Sequence, residues 1–151
     1  MTLQAQAQRL IENTPPDILD PQITAQLVVP LLVSQAKTIN CLQIYLWLGA
    51  GGESLIFTLQ NRQHPRQTRR ALYGFALAED AQRHPEFDPA SMTLTEIPIL
   101  DLLFRVLTDP EIDLLCFFPA GEKGQNIIAF ERRELQSQLK SRALANRSAI
   151  V

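Results

Sequence analysis

The sequence predicts an α+β fold: a mostly antiparallel sheet of five or six strands with N-terminal and C-terminal helices packed against it. Three observations point there. Apolar residues recur at helical spacing through the first forty residues, alternate with a period of two from residue 41, and return to a helical stripe after residue 131. Clusters of glycine and proline punctuate the alternating runs. At 151 residues the chain suits one globular domain, 1–151, with a helical N-terminal segment over about 1–38.

The elements follow in order. "LQAQAQRLIEN" places Leu3, Ala7, Leu10 and Ile11 on one helical stripe, and "TPPD" at 14–17 stops it. Asp20 is an N-cap candidate with Pro21 in the first turn of a second helix. "LVVPLLV" at 27–33 reads either as a kinked continuation of that helix or as a strand, because its branched residues favour one and its surroundings the other. "CLQIYLWL" then sets Leu42, Ile44, Leu46 and Leu48 on one face and Gln43, Tyr45 and Trp47 on the other. "GAGGE" supplies a glycine turn, and "SLIFTLQ" alternates again, so residues 41–60 are expected to fold back as a hairpin. Leu46 and Phe57 are assigned to its apolar layer, where aspartate at either position is expected to unfold the domain.

"RALYGFA" is a third strand, followed by a short helix in "LAEDAQRH". "SMTLTEI" alternates, and "PILDLLFRVL" is a helix apolar almost all round, with Asp101 and Arg105 spaced for an ion pair. "IDLLCFF" has the unbroken apolar character of a central strand, "PAGEKGQ" is a loop and "NIIAF" another strand. The closing helix, "ERRELQSQLKSRALANRS", carries Leu135, Leu139 and Leu144 as its stripe.

Composition bounds function. A hydrophobic fraction of 46%, a charged fraction of 20% and a net charge of −2 give no long-range attraction to nucleic acid or an anionic membrane. No apolar run reaches spanning length, so no membrane insertion is expected. "MTLQAQAQRL" lacks the basic start and apolar segment of a secretory signal, and a cytoplasmic location is expected. Cys41 and Cys116 sit in apolar runs and read as unpaired core thiols.

Catalytic and metal-binding signatures require particular residues at fixed spacings. His64 and His84 each precede proline in polar loops, and the cysteines have no paired spacing, so no metal site is expected. There is no nucleophile elbow, and "GAGGES" lacks the lysine of a phosphate loop. Glu79 with Asp80, or Asp109, Glu111 and Asp113, read as helix-boundary and loop charges rather than acid–base pairs. The expectation is a chain that is not an enzyme and needs no cofactor.

Binding candidates remain. Arg62, Arg66, Arg69 and Arg70 stand within "NRQHPRQTRR" among hydrogen-bonding side chains, a loop, 61–70, able to hold phosphates or the carboxylates of an acidic partner. The bland reading is a solvated connection between strands, and the run has no interleaved aromatics on which bases would stack. Tyr45 and Trp47 would mark a partner surface if helices cover only one side of the sheet, and core packing otherwise.

From about residue 41 to 140 the order of elements resembles the SseB-like family and the related plastid and cyanobacterial import-factor family. The residues that carry it are "SLIFTLQ" with "RRALYGFALAEDA", then "PILDLLFRVL", "IDLLCFFPAG" and the closing strand and helix from "ERRELQSQL". The chain has Phe118–Pro119 where SseB-like sequences often have Asn-Pro. The resemblance implies an interaction or assembly role and brings no catalytic residues. The combined expectation is a protein-binding module or assembly factor acting through exposed sheet or loop surface, with a protein partner and self-association left open. A nucleic-acid-associated protein contacting phosphate through the arginine loop is the alternative.

Overall fold

A computed structural model describes residues 1–17, 19–121 and 126–150, with side chains of the last helix described as far as residue 145. Thr2 opens helix α1 (Leu3–Asn13), its hydroxyl accepting the Ala5 N–H at 3.1 Å. The Asp20 carboxylate accepts the Gln22 N–H at 2.7 Å and starts α2 (Pro21–Ile23). The chain then runs through a π-helical turn, Thr24–Val28, into α3 (Val29–Lys37), so residues 27–33 are helix and not strand. Pro30 is tolerated because it falls where the bonding pattern changes from the wide turn to the α-helix, a place that can spare one N–H. Packing of Val28, Val29, Leu31 and Leu32, all buried, overrides the strand preference of the branched residues.

The strands are β1 (Gln43–Leu48), β2 (Phe57–Gln60), β3 (Thr68–Phe75), β4 (Thr93–Pro98), β5 (Leu114–Phe118) and β6 (Ile128–Glu131). They form one six-stranded sheet in the order β4-β1-β3-β5-β6, with β2 on β3. Every ladder is antiparallel except β3–β5. That parallel pair needs a long crossover, which α4 (Ala78–Arg83), β4 and α5 (Ile99–Thr108) supply.

The expected hairpin over residues 41–60 needs correcting. β1 and β2 do not form a ladder with each other. Both are antiparallel to β3 and lie end to end along it, β1 through Tyr45↔Phe75 and Leu46↔Gly74, β2 through Phe57↔Ala71 to Gln60↔Thr68. Only a small fold-back survives at the base of the excursion between them: a Leu48↔Ser54 bridge and Gly49 N–H donating to the Glu53 carbonyl at 2.8 Å. The outer side of β1 is unavailable because β4 pairs with it along its whole length. The true hairpin is β2–β3, and its loop is the arginine-rich run.

Alternation along each strand separates two apolar layers. Ile44, Leu46, Leu72, Leu115, Phe117 and Phe130 face α1, α3, α5 and the last helix, α6 (Arg132–Ile150). Trp47, Phe75 and Phe118 face the other way, where α4 contributes Ala81. Leu46 and Phe57 therefore belong to opposite layers and not to one.

Two further expectations change. Arg105 pairs with Asp109 at 3.7 Å and donates to the Ser54 hydroxyl at 2.7 Å, so its partner is not Asp101. In α6, Leu135 is buried and Leu139 packs on the core, but Leu144 is 57% exposed because five residues carry it off the stripe. The expected loop at 119–125 lies outside the described residues from 122 onward.

One buried polar side chain, missed in the sequence, joins α1 to α5 and to the start of β1. Gln6 of α1 accepts the Leu100 N–H at 3.1 Å and donates to the Leu42 carbonyl at 3.0 Å. Pro98 gives α5 no side-chain cap, so the Gln6 amide does that work from another helix.

Candidate functional site

Helices cover the two faces of the sheet unequally. Among the described residues, α4 and the segment 84–92 lie over the strands on the face away from α1, α3, α5 and α6, above Trp47, Phe75 and Phe118, with Leu55 beside them. Residues across the remaining width of that face are Phe57 on β2, Tyr73 on β3, Cys116 on β5 and Ala129 on β6, the first three half-buried and the last exposed. They form an apolar strip with no helix above it among the described residues.

The rings on this face pack laterally. Phe57 and Tyr73 stack with centroids 4.7 Å apart, Phe75 and Phe118 stack at 4.6 Å, and Trp47 meets Phe57 edge-on at 5.7 Å. His84 closes the upper end, 5.1 Å from Trp47 and 5.6 Å from Phe118. Its Nδ1 accepts the Glu86 N–H at 3.2 Å. Burial against the rings lowers the His84 pKa, with the Glu86 charge opposing. Burial, with Glu86 and Cys116 adding, raises that of Tyr73, and burial raises that of the Cys116 thiol, with the Arg69 charge opposing. Neither cysteine is disulfide-bonded.

Trp47 is 2% exposed and donates its indole N–H to the Ala81 carbonyl at 3.1 Å, so it is the floor under α4 and offers no surface. Tyr45 stays half-buried. Sequence reading passed over Phe57 and Tyr73 as surface candidates, although the same alternation that faced Tyr45 and Trp47 outward applies to "FTLQ" and "RALYGFA".

The four arginines separate into two pairs. Arg62 and Arg66 sit exposed at the tip of the β2–β3 hairpin, without an ion pair among the described residues. Asn61 shapes that tip, its side-chain oxygen accepting the Gln63 N–H at 2.9 Å. Arg69 and Arg70 lie on β3 itself and meet carboxylates: Arg69 pairs with Glu131, and Arg70 pairs with Asp113 at 3.6 Å.

Asp113 also pairs with Arg132 at 3.2 Å and accepts the Arg70 N–H at 2.8 Å, tying β3, β5 and the start of α6 together. The Arg70 N–H, and after it the two guanidinium charges, lower the Asp113 pKa. The sequence had made Asp113 a loop charge and left Glu131 unremarked; it could not show which arginines they would meet.

Beyond the first residue of β5, the β2–β3 hairpin overhangs the sheet. An open notch of about 920 Å³ separates it from the first turn of α6, with Asp113 at its base. Among the described residues no group of three or more His, Cys, Asp or Glu is placed to hold a metal ion, and no helix is long and apolar enough to cross a membrane.

No family model matches the chain, and no curated protein matches it. Among solved structures it is similar to Tic22 of Anabaena, described as a protein of protein transport, with 17% identity over 61% of this chain and a TM-score of 0.37. The match spans 47% of that protein, just under half its length. The SseB-like resemblance rests on the sequence pattern alone. A likeness of this size leaves function to be read from this chain's own geometry.

Proposed function

We propose that the chain is a non-catalytic, cytoplasmic protein-binding module, an assembly or regulatory factor, that engages a partner through the uncovered part of its sheet. The apolar strip Phe57–Tyr73–Cys116–Ala129 carries this reading: it crosses four strands on the face that the long helices leave bare. Short strands, β2 and β6, bound it on either side. The alternative of phosphate contact through the arginine loop is weakened, because Arg69 and Arg70 already hold Glu131 and Asp113 and leave Arg62 and Arg66 alone at the tip.

The test uses the immobilised chain and extract of its own cells, with and without nuclease treatment. A defined protein is expected to be retained by the parent and lost by Ala129→Gln, a surface change that should leave the melt unaltered. Retention that survives Ala129→Gln, or that disappears with nuclease, would overturn the reading.

A further inference from the structure

The apolar strip ends, at its lower side, in the notch between the β2–β3 hairpin and α6. Leu59 and Glu131, two residues along from Phe57 and Ala129 on the same strands and faces, line it. Both walls carry cations: Arg66 and Arg69 on the hairpin, Arg132 and Arg133 on the first turn of α6. Three carboxylates, Asp113, Glu131 and Glu134, share the lining. The N-terminal end of α6, a 19-residue helix, adds its positive dipole end to the same space.

The balance of partners is uneven. Asp113 is committed to Arg70 and Arg132 at the base, and Glu134 accepts the Gln138 side-chain amide at 3.2 Å. Glu131, on the opposite face of the sheet from the Asp113–Arg70 pair, meets Arg69 of the hairpin. Among the described residues Arg66 and Arg133 have no ion pair, and the buried Nε–H of Arg132 has no hydrogen-bond acceptor. Donors therefore exceed acceptors in a cleft that is already shaped. The hairpin wall is held by the Gln60 amide donating to the Pro65 carbonyl at 3.0 Å and by Gln67 N–H donating to His64 at 2.9 Å.

We infer that this notch receives the carboxylates of an acidic, extended segment of a protein partner, with Glu131 filling one of their positions in the unbound chain. The inference rests on the protein-binding reading and adds the partner's chemistry: acidic where it crosses the notch, apolar where it crosses the strip. Planar carboxylates match the guanidinium forks of Arg66, Arg69 and Arg133. A single nucleic-acid strand suits the notch poorly, because no aromatic ring lines it for bases to stack on.

Fluorescently labelled hexaglutamate, followed by anisotropy on the intact chain, tests the notch apart from the strip. Binding is expected to weaken with added salt. Replacing Arg66 and Arg133 together by glutamine should weaken it by about tenfold, and Glu131→Gln, which removes the internal competitor, should strengthen it by about threefold. No binding, indifference to the arginine pair, weaker binding by Glu131→Gln, or an equally charged oligonucleotide bound as tightly would each overturn the inference. Hexaglutamate binding with this pattern, alongside partner capture indifferent to Ala129→Gln, would keep the notch and remove the strip.

Discussion

The two faces of the sheet are built from alternate residues of the same strands, yet they solve burial differently. Under the helices, Ile44, Leu46, Leu72 and Leu115 interdigitate with side chains from four helices, and Gly74 leaves room for them. On the other face little lies above the strands, and wide rings cover one another sideways. Aliphatic residues need a second layer to be buried. Aromatic rings achieve part of it within their own layer, so Phe57 and Tyr73 stay half-buried beyond the edge of α4, while α4 and the segment 84–92 complete the burial of Trp47 and Phe75.

A charge introduced on each face should separate them most strongly. Leu46→Asp puts an unpaired carboxylate at a position 1% exposed, and it should abolish the cooperative melt, since such burial costs several kcal/mol against a total of about 5–15 kcal/mol. Phe57→Asp, half-buried in the other layer, should still melt cooperatively with a loss of about 1–3 kcal/mol. Equal losses in chemical denaturation would erase the difference between the faces.

Gly74→Ala probes the helix-side fit. An added Cβ would lie 2.7 Å from Ile44 Cγ2 and 3.1 Å from Leu115 Cδ1, and a loss of about 1–3 kcal/mol is expected in the same measurement. Gln6→Leu asks how much a single amide contributes to holding α1, β1 and α5 together. It strips the Leu100 N–H and the Leu42 carbonyl of a partner, with an expected cost of about 1–2 kcal/mol, the Leu42 carbonyl keeping the Ile99 N–H at 3.0 Å.

The smallest effect concerns His84. Its pKa is lower in the folded chain than the ordinary 6.5, so the unfolded chain binds the proton more readily and folding favours the neutral ring. Stability is then full above about pH 6.5 and declines as pH falls below it, levelling off beneath the folded-state value. The single tryptophan, Trp47, touches His84 and reports the titration by fluorescence. His84→Phe should remove that transition, and a transition that persists would assign it to another group.

Local patterns carried much of this architecture. "CLQIYLWL" sorted Ile44 and Leu46 from Tyr45 and Trp47 correctly, and "PILDLLFRVL" declared a helix buried on most sides. Pairing was not legible. Nothing in "GAGGE" distinguishes a turn that joins two laddered strands from one that lets the chain step along a third, because the choice depends on β3 and β4, which come later in the chain. The arginine run shows the same limit at the site. Charge density was visible, but whether Arg69 and Arg70 face solvent or a carboxylate depends on Asp113 and Glu131, more than forty residues away. The role of Gln6 depends likewise on α5.

Because β1 and β2 share β3 and not each other, no hydrogen-bond ladder fixes the length of chain between them. The base of that excursion is fastened by the Gly49–Glu53 backbone bond and by Arg105 on Ser54, while Ala50, Gly51 and Gly52 stand exposed, Gly52 at a φ of 82°. A foreign epitope spliced between Ala50 and Gly51 would be displayed there while every strand keeps its register, which makes this tip a natural handle for labelling the protein.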